Sequence, residues 1–294
     1  MSLIFGIFNR NGRPVNPEDM DTIHLGMLDL PHEKYNISIQ DNIAFGHMLT
    51  YNTPESLYEQ MPKYLPEQKL LFVSQGRIDN REELADILNI RITDTVPDGE
   101  IILKAYLKWG EKTPDYLLGD WSFAAFDTEK QNLFIARDHH GYTDINYYID
   151  DKIIVFSTSI KGILALKYIP QKLNENILIR SLVLWGGKEN HGNTYYKDIY
   201  HLLPAHTLNI GKEFSEKKRY WFPENIETVH GKKPDEYADE LKEILNKAIK
   251  VRLRSYKPVV SMLSGGLDSS TVSFLAAELL KKEGKKLTTY SHVP

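Results

Sequence analysis

From residue 1 to about 210 the chain alternates short apolar runs with polar punctuation. LIFGIF, NIAFGHML, KLLFVSQGRI, WSFAAFD, NLFIARD, INYYI, KIIVFSTS and HTLNI are rich in aromatic and β-branched residues, and runs of this kind bounded by turn residues predict strands. The turns carry their own chemistry in NGRP at 11–14, PDG at 97–99, DHHG at 138–141 and the Asp pair at 150–151. The close spacing of WSFAAFD, NLFIARD and KIIVFSTS predicts an antiparallel meander. Helical spacing interrupts the strands twice. One helix begins at Asn80, where Asn80 and Glu83 have capping-box spacing, and runs through ELADIL. The other covers EIILKAYLKWG at 100–110 and ends on Gly110, a residue type that favours a helix C-terminus.

Residues 211–234, GKEFSEKKRYWFPENIETVHGKKP, are polar, charged and broken by Pro223 and Pro234, which predicts an interdomain linker. Beyond it the pattern becomes α/β. Tyr237, Leu241, Ile244, Leu245, Ala248 and Ile249 recur at helical spacing over 235–253. PVVSML at 258–263 is a continuous apolar run of the kind buried in parallel sheets. Leu267–Lys282 predicts a second helix, and KLTTYSHV at 286–293 a second strand. The expected organisation is one domain over 1–210, a linker over 211–234 and an α/β segment over 235–294.

Composition narrows the partners. Across 294 residues, 36 basic and 40 acidic side chains intermix to a net charge of −4, which offers no footprint for nucleic acid or an anionic membrane. The absence of Cys excludes disulfides, thiolate metal sites and a thiol nucleophile. LIFGIF is too short for a signal sequence, and no run approaches the ~20 apolar residues of a membrane span, so a cytoplasmic protein is expected. His139 and His140 share a turn without a second cluster at ligand spacing, so zinc is not expected. Lys232, Lys233, Lys281, Lys282, Lys285 and Lys286 read as solvated surface. Tyr147, Tyr148, Tyr195 and Tyr196 read as packing residues, and Arg137 with Asp138 as a structural ion pair.

Two stretches carry candidate chemistry. Ser2 follows the initiator Met at the head of an apolar strand; removal of Met1 would free an α-amine to serve as general base for a serine nucleophile, and a short side chain also simply suits a strand start. The second stretch is sharper. From Leu263 an apolar strand runs into Ser264, Gly265, Gly266, Leu267, Asp268, Ser269 and Ser270, and a helix follows at once. Two glycines permit a tight turn and close approach of backbone to a ligand, while the helix N-terminus favours an anion. Three hydroxyls add neutral donors. No Lys follows the glycines, which excludes the GxxxxGK[ST] loop, and the spacing is not GxGxxG. An ordinary β-α turn with Ser264 as cap is the alternative.

SGGLDSS and its flanks resemble the pyrophosphate loop of enzymes that cleave ATP to AMP and pyrophosphate, in particular the synthetase domain of glutamine-dependent asparagine synthetases. The resemblance implies that Leu263 to Ser270 hold ATP, that Asp268 lies near Mg2+, and that a small-molecule or peptide carboxylate is adenylated before an amine displaces AMP. It extends through the front half. PDGEIILKAYLKWG with LLGDWSFAAFD, IARDHHG, FSTSIKGILAL, and LLPAHTLNI with RYW are similar to successive segments of the same family. The fold implied is α+β: an N-terminal-nucleophile αββα glutaminase domain followed by the start of an α/β, adenine-nucleotide α-hydrolase-like PP-loop domain. The acidic motif, catalytic lysine and carboxylate pocket of that family lie beyond the phosphate loop and have no candidate here, so the chain is expected to be either a fragment of a protein about twice as long or a naturally short relative; the exposed edge of the incomplete sheet predicts self-association, with a homodimer as the expected partner.

The same comparison implies an inactive glutaminase. Ser2 and Leu3 stand where the family has Cys and Gly. Met48, in Gly46-His47-Met48-Leu49, stands where it has the Arg that clamps the glutamine carboxylate, and an apolar side chain cannot make that bidentate contact. Gln75-Gly76-Arg77 replaces Asn-Gly-Glu, reversing a charge. Gly76 and Asp98 persist from the glutamine site. Members of the family without the Cys include β-lactam synthetases and lasso-peptide cyclases, which use an amine already present in the substrate. A peptide or β-lactam-type cyclase and a non-catalytic scaffold are the alternatives to an asparagine synthetase-like ligase.

Overall fold

The computed structural model describes residues 1–183 and 192–292, which form two compact units, 1–51 with 55–223 and 52–54 with 224–294. The first unit runs β1 (Leu3–Asn9), α1 (Pro17–Leu25), β2 (Lys34–Gln40), β3 (Ile43–Leu49), β4 (Lys63–Leu65), β5 (Leu70–Ile78), α2 (Arg81–Leu88), α3 (Asp98–Trp109), β6 (Gly119–Asp127), β7 (Asn132–Arg137), β8 (Asn146–Ile149), β9 (Ile153–Ser157), α4 (Ile160–Ala165), α5 (Glu175–Val183), β10 (Ile199–His201), β11 (His206–Ile210) and β12 (Ser215–Arg219). Its strands form two antiparallel six-stranded sheets, ordered β10-β8-β9-β1-β3-β2 and β12-β11-β7-β6-β5-β4.

Period-two alternation along β1 explains how the sheets stack. Ile4 and Phe8 enter a core shared with Phe72, Phe123 and Phe126 of the second sheet. Phe5 and Ile7 point the other way, into a core with Met20 and Ile23 of α1 and Ile163 of α4. Ile101, Ile102 and Ala105 of α3 and Leu84 of α2 join the core of the second sheet. The layers are therefore helix, sheet, sheet, helix, the αββα arrangement, and strands covered on both faces read as nearly continuous apolar runs.

Several sequence-based expectations need correction. The expected meander does not form: β6 and β7 pair in one sheet, but KIIVFSTS lies between β8 and β1 in the other. Spacing cannot report a chain that crosses between layers. Asn80 makes no side-chain cap on α2. Its amide instead donates to the Tyr116 carbonyl at 3.0 Å and accepts the Leu118 N–H at 2.9 Å, tying down the segment before β6. Residues 211–222 are not linker. Ser215–Arg219 pairs with β11 as an edge strand, and the Tyr220 hydroxyl donates to the Arg137 carbonyl at 2.7 Å. Edge position explains the charge, since lysines on an outer strand keep its open side in water. Helices α1, α4 and α5 add to the two expected. In α1 only Met20 and Ile23 are buried, too few to make a period visible, although Asn16 caps the helix through Glu18 N–H and Pro17 occupies its first turn.

The second unit carries α6 (Pro234–Arg252), β13 (Val260–Met262), α7 (Leu267–Lys282) and β14 (Thr288–Tyr290). β13 and β14 pair in parallel with α7 as their crossover. The expectation of a buried strand fails here: Val260 and Met262 are exposed, because among the described residues β13 pairs only with β14. The expected strand end at Val293 lies outside the described residues. Among those described, no helix is long and apolar enough to cross a membrane.

Candidate functional site

The phosphate-loop residues come together. Leu263 N–H donates to the Tyr290 carbonyl at 2.8 Å, which fixes the end of β13 beside β14. Gly265 then takes φ +84°, with no atom within 4 Å of where a Cβ would stand, and Gly266 is the N-cap of α7. Only Gly adopts that φ without strain, and the missing side chains leave the backbone open to a ligand. The Ser264 and Ser269 hydroxyls lie 2.9 Å apart, and Ser269 donates back to the Gly266 carbonyl at 3.2 Å. Ser270 N–H closes the first intrahelical bond onto Gly266. The N–H groups of Leu267, Asp268 and Ser269 precede any intrahelical partner, and the macrodipole of a helix of 16 residues adds to their pull on an anion. Asp268 is an exposed carboxylate in the first turn. A loop that presents hydroxyls and bare N–H groups beside one carboxylate fits a phosphate chain and a hard cation, which is held by few carboxylates plus phosphate oxygens.

The residues of the expected glutamine site are all engaged elsewhere. Ser2 is buried at the head of β1; its hydroxyl accepts the Thr50 N–H at 3.0 Å. Burial holds the Met1 α-amine below its usual range, with Glu33 opposing. Met48 is fully buried in the core against α1 and α4. Gln75 donates to the Ser122 hydroxyl at 2.9 Å across the β5–β6 pair. Gly76 has φ +137°, and a Cβ there would fall 2.3 Å from the Asp120 carbonyl oxygen, so close strand packing accounts for the glycine. Arg77 turns back onto Asp79 at 3.1 Å.

Asp98, the first residue of α3, forms an ion pair with Arg81, and both are buried. Arg81 also donates to the Val96 carbonyl at 2.8 Å and lies 3.8 Å from the Glu55 carboxylate. Beside them Glu59 accepts the Gly99 N–H at 3.0 Å; burial, reinforced by Asp98 and opposed by that hydrogen bond and Lys63, pushes its carboxyl up to about 7. His47 is buried with Nδ1 unpartnered, and burial holds its ring down to about 4. The sequence pointed to Asp98 but not to Arg81, Glu55 or Glu59. Arg81 follows Asn80 in what looks like an ordinary helix start, and nothing in its spacing signals a buried partner across a loop.

Arg137 and Asp138 do not pair with each other, contrary to the sequence expectation. Arg137 lies 2.9 Å from Asp144, while the Asp138 carboxylate accepts the N–H groups of His140, Tyr142 and Thr143 and so shapes the turn. Because a guanidinium only donates, its 2.8 Å contact makes His201 Nε2 an acceptor and places the ring proton on Nδ1, facing Asn146 at 3.1 Å. Asp144, Asn146 and His201 border a cavity of about 460 Å³ that also includes Thr158, Tyr195 and Tyr196. Its polar lining is satisfied internally, and it holds none of the residues expected to act.

Comparison with known proteins agrees with this architecture. Residues 1–221 match the family described as a glutamine amidotransferase domain, and residues 240–293 match asparagine synthase. The chain is 31% identical to an asparagine synthetase (glutamine-hydrolyzing) 3 of Bacillus subtilis over 87% of its own length and 42% of that protein's. It is 34% identical to a Methanocaldococcus jannaschii relative named for the same enzyme, over 87% of this chain and 49% of the relative. An amidase, chyE, of Penicillium rubens is 27% identical over 85% of this chain and 37% of its own. The chain thus spans about half or less of the length of these relatives. The glutamine phosphoribosylpyrophosphate amidotransferase structure from B. subtilis has the same fold, with TM-score 0.54 and 15% identity over 98% of this chain and 65% of that one. The chain belongs to the glutamine amidotransferase family, with an N-terminal-nucleophile fold followed by a segment that matches asparagine synthase.

Proposed function

We propose that the protein is an ATP-dependent amide-forming ligase whose amidotransferase domain does not hydrolyse glutamine. The observation that carries the ligase half is the loop at 264–270, with Gly265 at φ +84° in open space and the Ser264 and Ser269 hydroxyls 2.9 Å apart at the head of α7. Leu263 to Ser270 would cradle the ATP phosphates, and Asp268 would help hold Mg2+, which supplies charge neutralisation when bound. A substrate carboxylate attacks the α-phosphorus, pyrophosphate leaves, and an amine displaces AMP from the acyl-adenylate to form the amide. Donors preorganised toward developing phosphate charge lower that barrier without reorganising during reaction.

The inactive amidotransferase half is supported by where the residues of the expected glutamine site have gone. Asp98 is neutralised by Arg81, Arg77 faces Asp79, and Met48 lies in the core. Glutamine's α-amine and α-carboxylate would find neither a free carboxylate nor a cation. The amine must then come from free ammonia or from the substrate itself, and this is what favours a cyclase of peptide or β-lactam type as the second reading. ATP–pyrophosphate exchange on the whole protein, with aspartate and with peptide carboxylates, separates them. Exchange dependent on aspartate supports the synthetase reading, exchange dependent on a peptide supports the cyclase, and none with any carboxylate supports a non-catalytic scaffold and contradicts the proposal.

A further inference from the structure

The last turn of α1 and the segment before β2 bring two imidazoles together outside either candidate site. His24 Nε2 and His32 Nε2 lie 3.3 Å apart, with ring centres 5.3 Å apart and planes at 79°. His32 Nδ1 is 2.9 Å from the Leu30 carbonyl oxygen, which can only accept, so the ring proton of neutral His32 is on Nδ1 and its Nε2 lone pair faces His24. Tyr35 stacks on His24 with centres 3.8 Å apart and planes at 10°, which fixes the plane of that ring. The Tyr35 hydroxyl is in turn held near Asp21 at 3.4 Å and the Met20 carbonyl at 3.5 Å.

Without a metal the two Nε2 atoms are within hydrogen-bond reach, His24 donating to His32. Two metal–nitrogen bonds of about 2.05 Å at the tetrahedral angle also place the nitrogens about 3.3 Å apart and the ring centres about 5.2 Å apart. Both observed separations match that arrangement. We propose that His24 and His32 form a two-imidazole site for a borderline divalent ion such as Zn2+, with water completing the coordination sphere. Among the described residues no group of three or more His, Asp and Glu could hold a metal, so the two imidazoles would be the site's protein ligands. The Leu30 carbonyl on His32 and the Tyr35 face on His24 supply the outer-shell orientation that metal-binding imidazoles require. Neutral His24 carries its proton on Nδ1 when the metal is bound. A spacing of seven intervening residues across a helix end is no metal motif, which is why the pair escapes sequence inspection.

Bound metal would tie α1 to the entry of β2 and raise the melting temperature by mass action. The test titrates ZnCl2 into the whole protein and follows binding by calorimetry and the imidazole nitrogens by NMR. One saturable ion per chain is expected, with the Nε2 signals of His24 and His32 moving together and Mg2+ causing no change, since it selects oxygen ligands. His24→Gln and His32→Gln should each weaken binding at least about tenfold. His139→Gln with His140→Gln should leave it unchanged. Both rings of the pair are part-exposed, so the single variants keep the core intact, and the metal-free melting temperature checks this. Absence of saturable Zn2+ binding below about 1 mM, or binding lost in the His139/His140 variant and kept in His24→Gln, overturns the proposal.

Discussion

The amidotransferase end and the phosphate loop are both read from residues that a family resemblance singles out, yet the structure treats them in opposite ways. At the first, each candidate has found a partner inside the protein: Ser2 with Thr50, Gln75 with Ser122, Arg77 with Asp79, Asp98 with Arg81. At the second, Ser264, Gly265, Gly266, Leu267 and Asp268 are exposed, and Gly265 holds a positive φ that glycine adopts without strain. Buried polar groups must be satisfied, so a binding site that has lost its ligand tends to be filled by neighbouring side chains. A site still shaped for a ligand keeps donors pointing outward.

Removing Arg81 probes the first region hardest. Arg81→Leu leaves Asp98 buried without its counter-ion and should cost about 3–5 kcal/mol by denaturant unfolding. Adding Asp98→Asn should recover much of that loss, and neither variant should gain glutamine hydrolysis. Restored hydrolysis in Arg81→Leu would make Arg81 a removable plug in a working site. In the second region, Gly265→Val should reduce ATP–pyrophosphate exchange by about 10²–10³-fold by blocking the backbone donors, with a stability loss limited to the about 1–3 kcal/mol of backbone strain at φ +84°, since the side chain itself meets no neighbour. A melting temperature that collapses in Gly265→Val would mean the loop is structural.

The buried His47 and the half-buried Glu59 near the first region give a pH signature. His47 titrates near 6.5 unfolded and about 4 folded, so the unfolded chain binds more protons between those values and stability falls as pH drops through them. Glu59 titrates near 4.5 unfolded and about 7 folded, so the folded chain binds more protons there and stability falls as pH rises. Each is worth about 3 kcal/mol when fully titrated, with opposite sign. Glu59→Gln should therefore expose acid destabilisation between pH 6.5 and 4, and His47→Leu a loss of stability as pH rises from 4.5 to 7. Equal pH slopes in the two variants would contradict the assigned burial. The smallest effect belongs to Ser2→Ala, which removes the hydroxyl's two hydrogen bonds with the Thr50 backbone, one of them long at 3.5 Å, costs about 1 kcal/mol and leaves ligase activity unchanged.

This contrast also governs what the chain reveals before folding. The phosphate loop is contiguous, and its chemistry lies in backbone shape, so Gly265, Gly266 and the strand before them announce it. Helix α3 ends on Gly110 as its pattern predicts, with φ +57°. The αββα layering came from resemblance, because apolar runs do not say which sheet a strand joins; KIIVFSTS shows this. The fate of the glutamine site was half legible. Met48 and Arg77 mark the proposed loss of function through changed side chains, but the Arg81–Asp98 pair joins an apparent helix start to another helix across a loop. Ser215–Arg219 was hidden for a different reason: an edge strand carries the charge of a linker.

The central claim is that this chain retains nucleotide chemistry and has lost glutamine chemistry. Its most direct test is the ratio of glutamate to pyrophosphate released by the whole protein in one reaction holding ATP, Mg2+, glutamine, ammonium and the carboxylate that supports exchange. The account predicts pyrophosphate release with no glutamate above the level of Ser2→Ala. Glutamate formed in step with pyrophosphate, and abolished by Ser2→Ala, would contradict it.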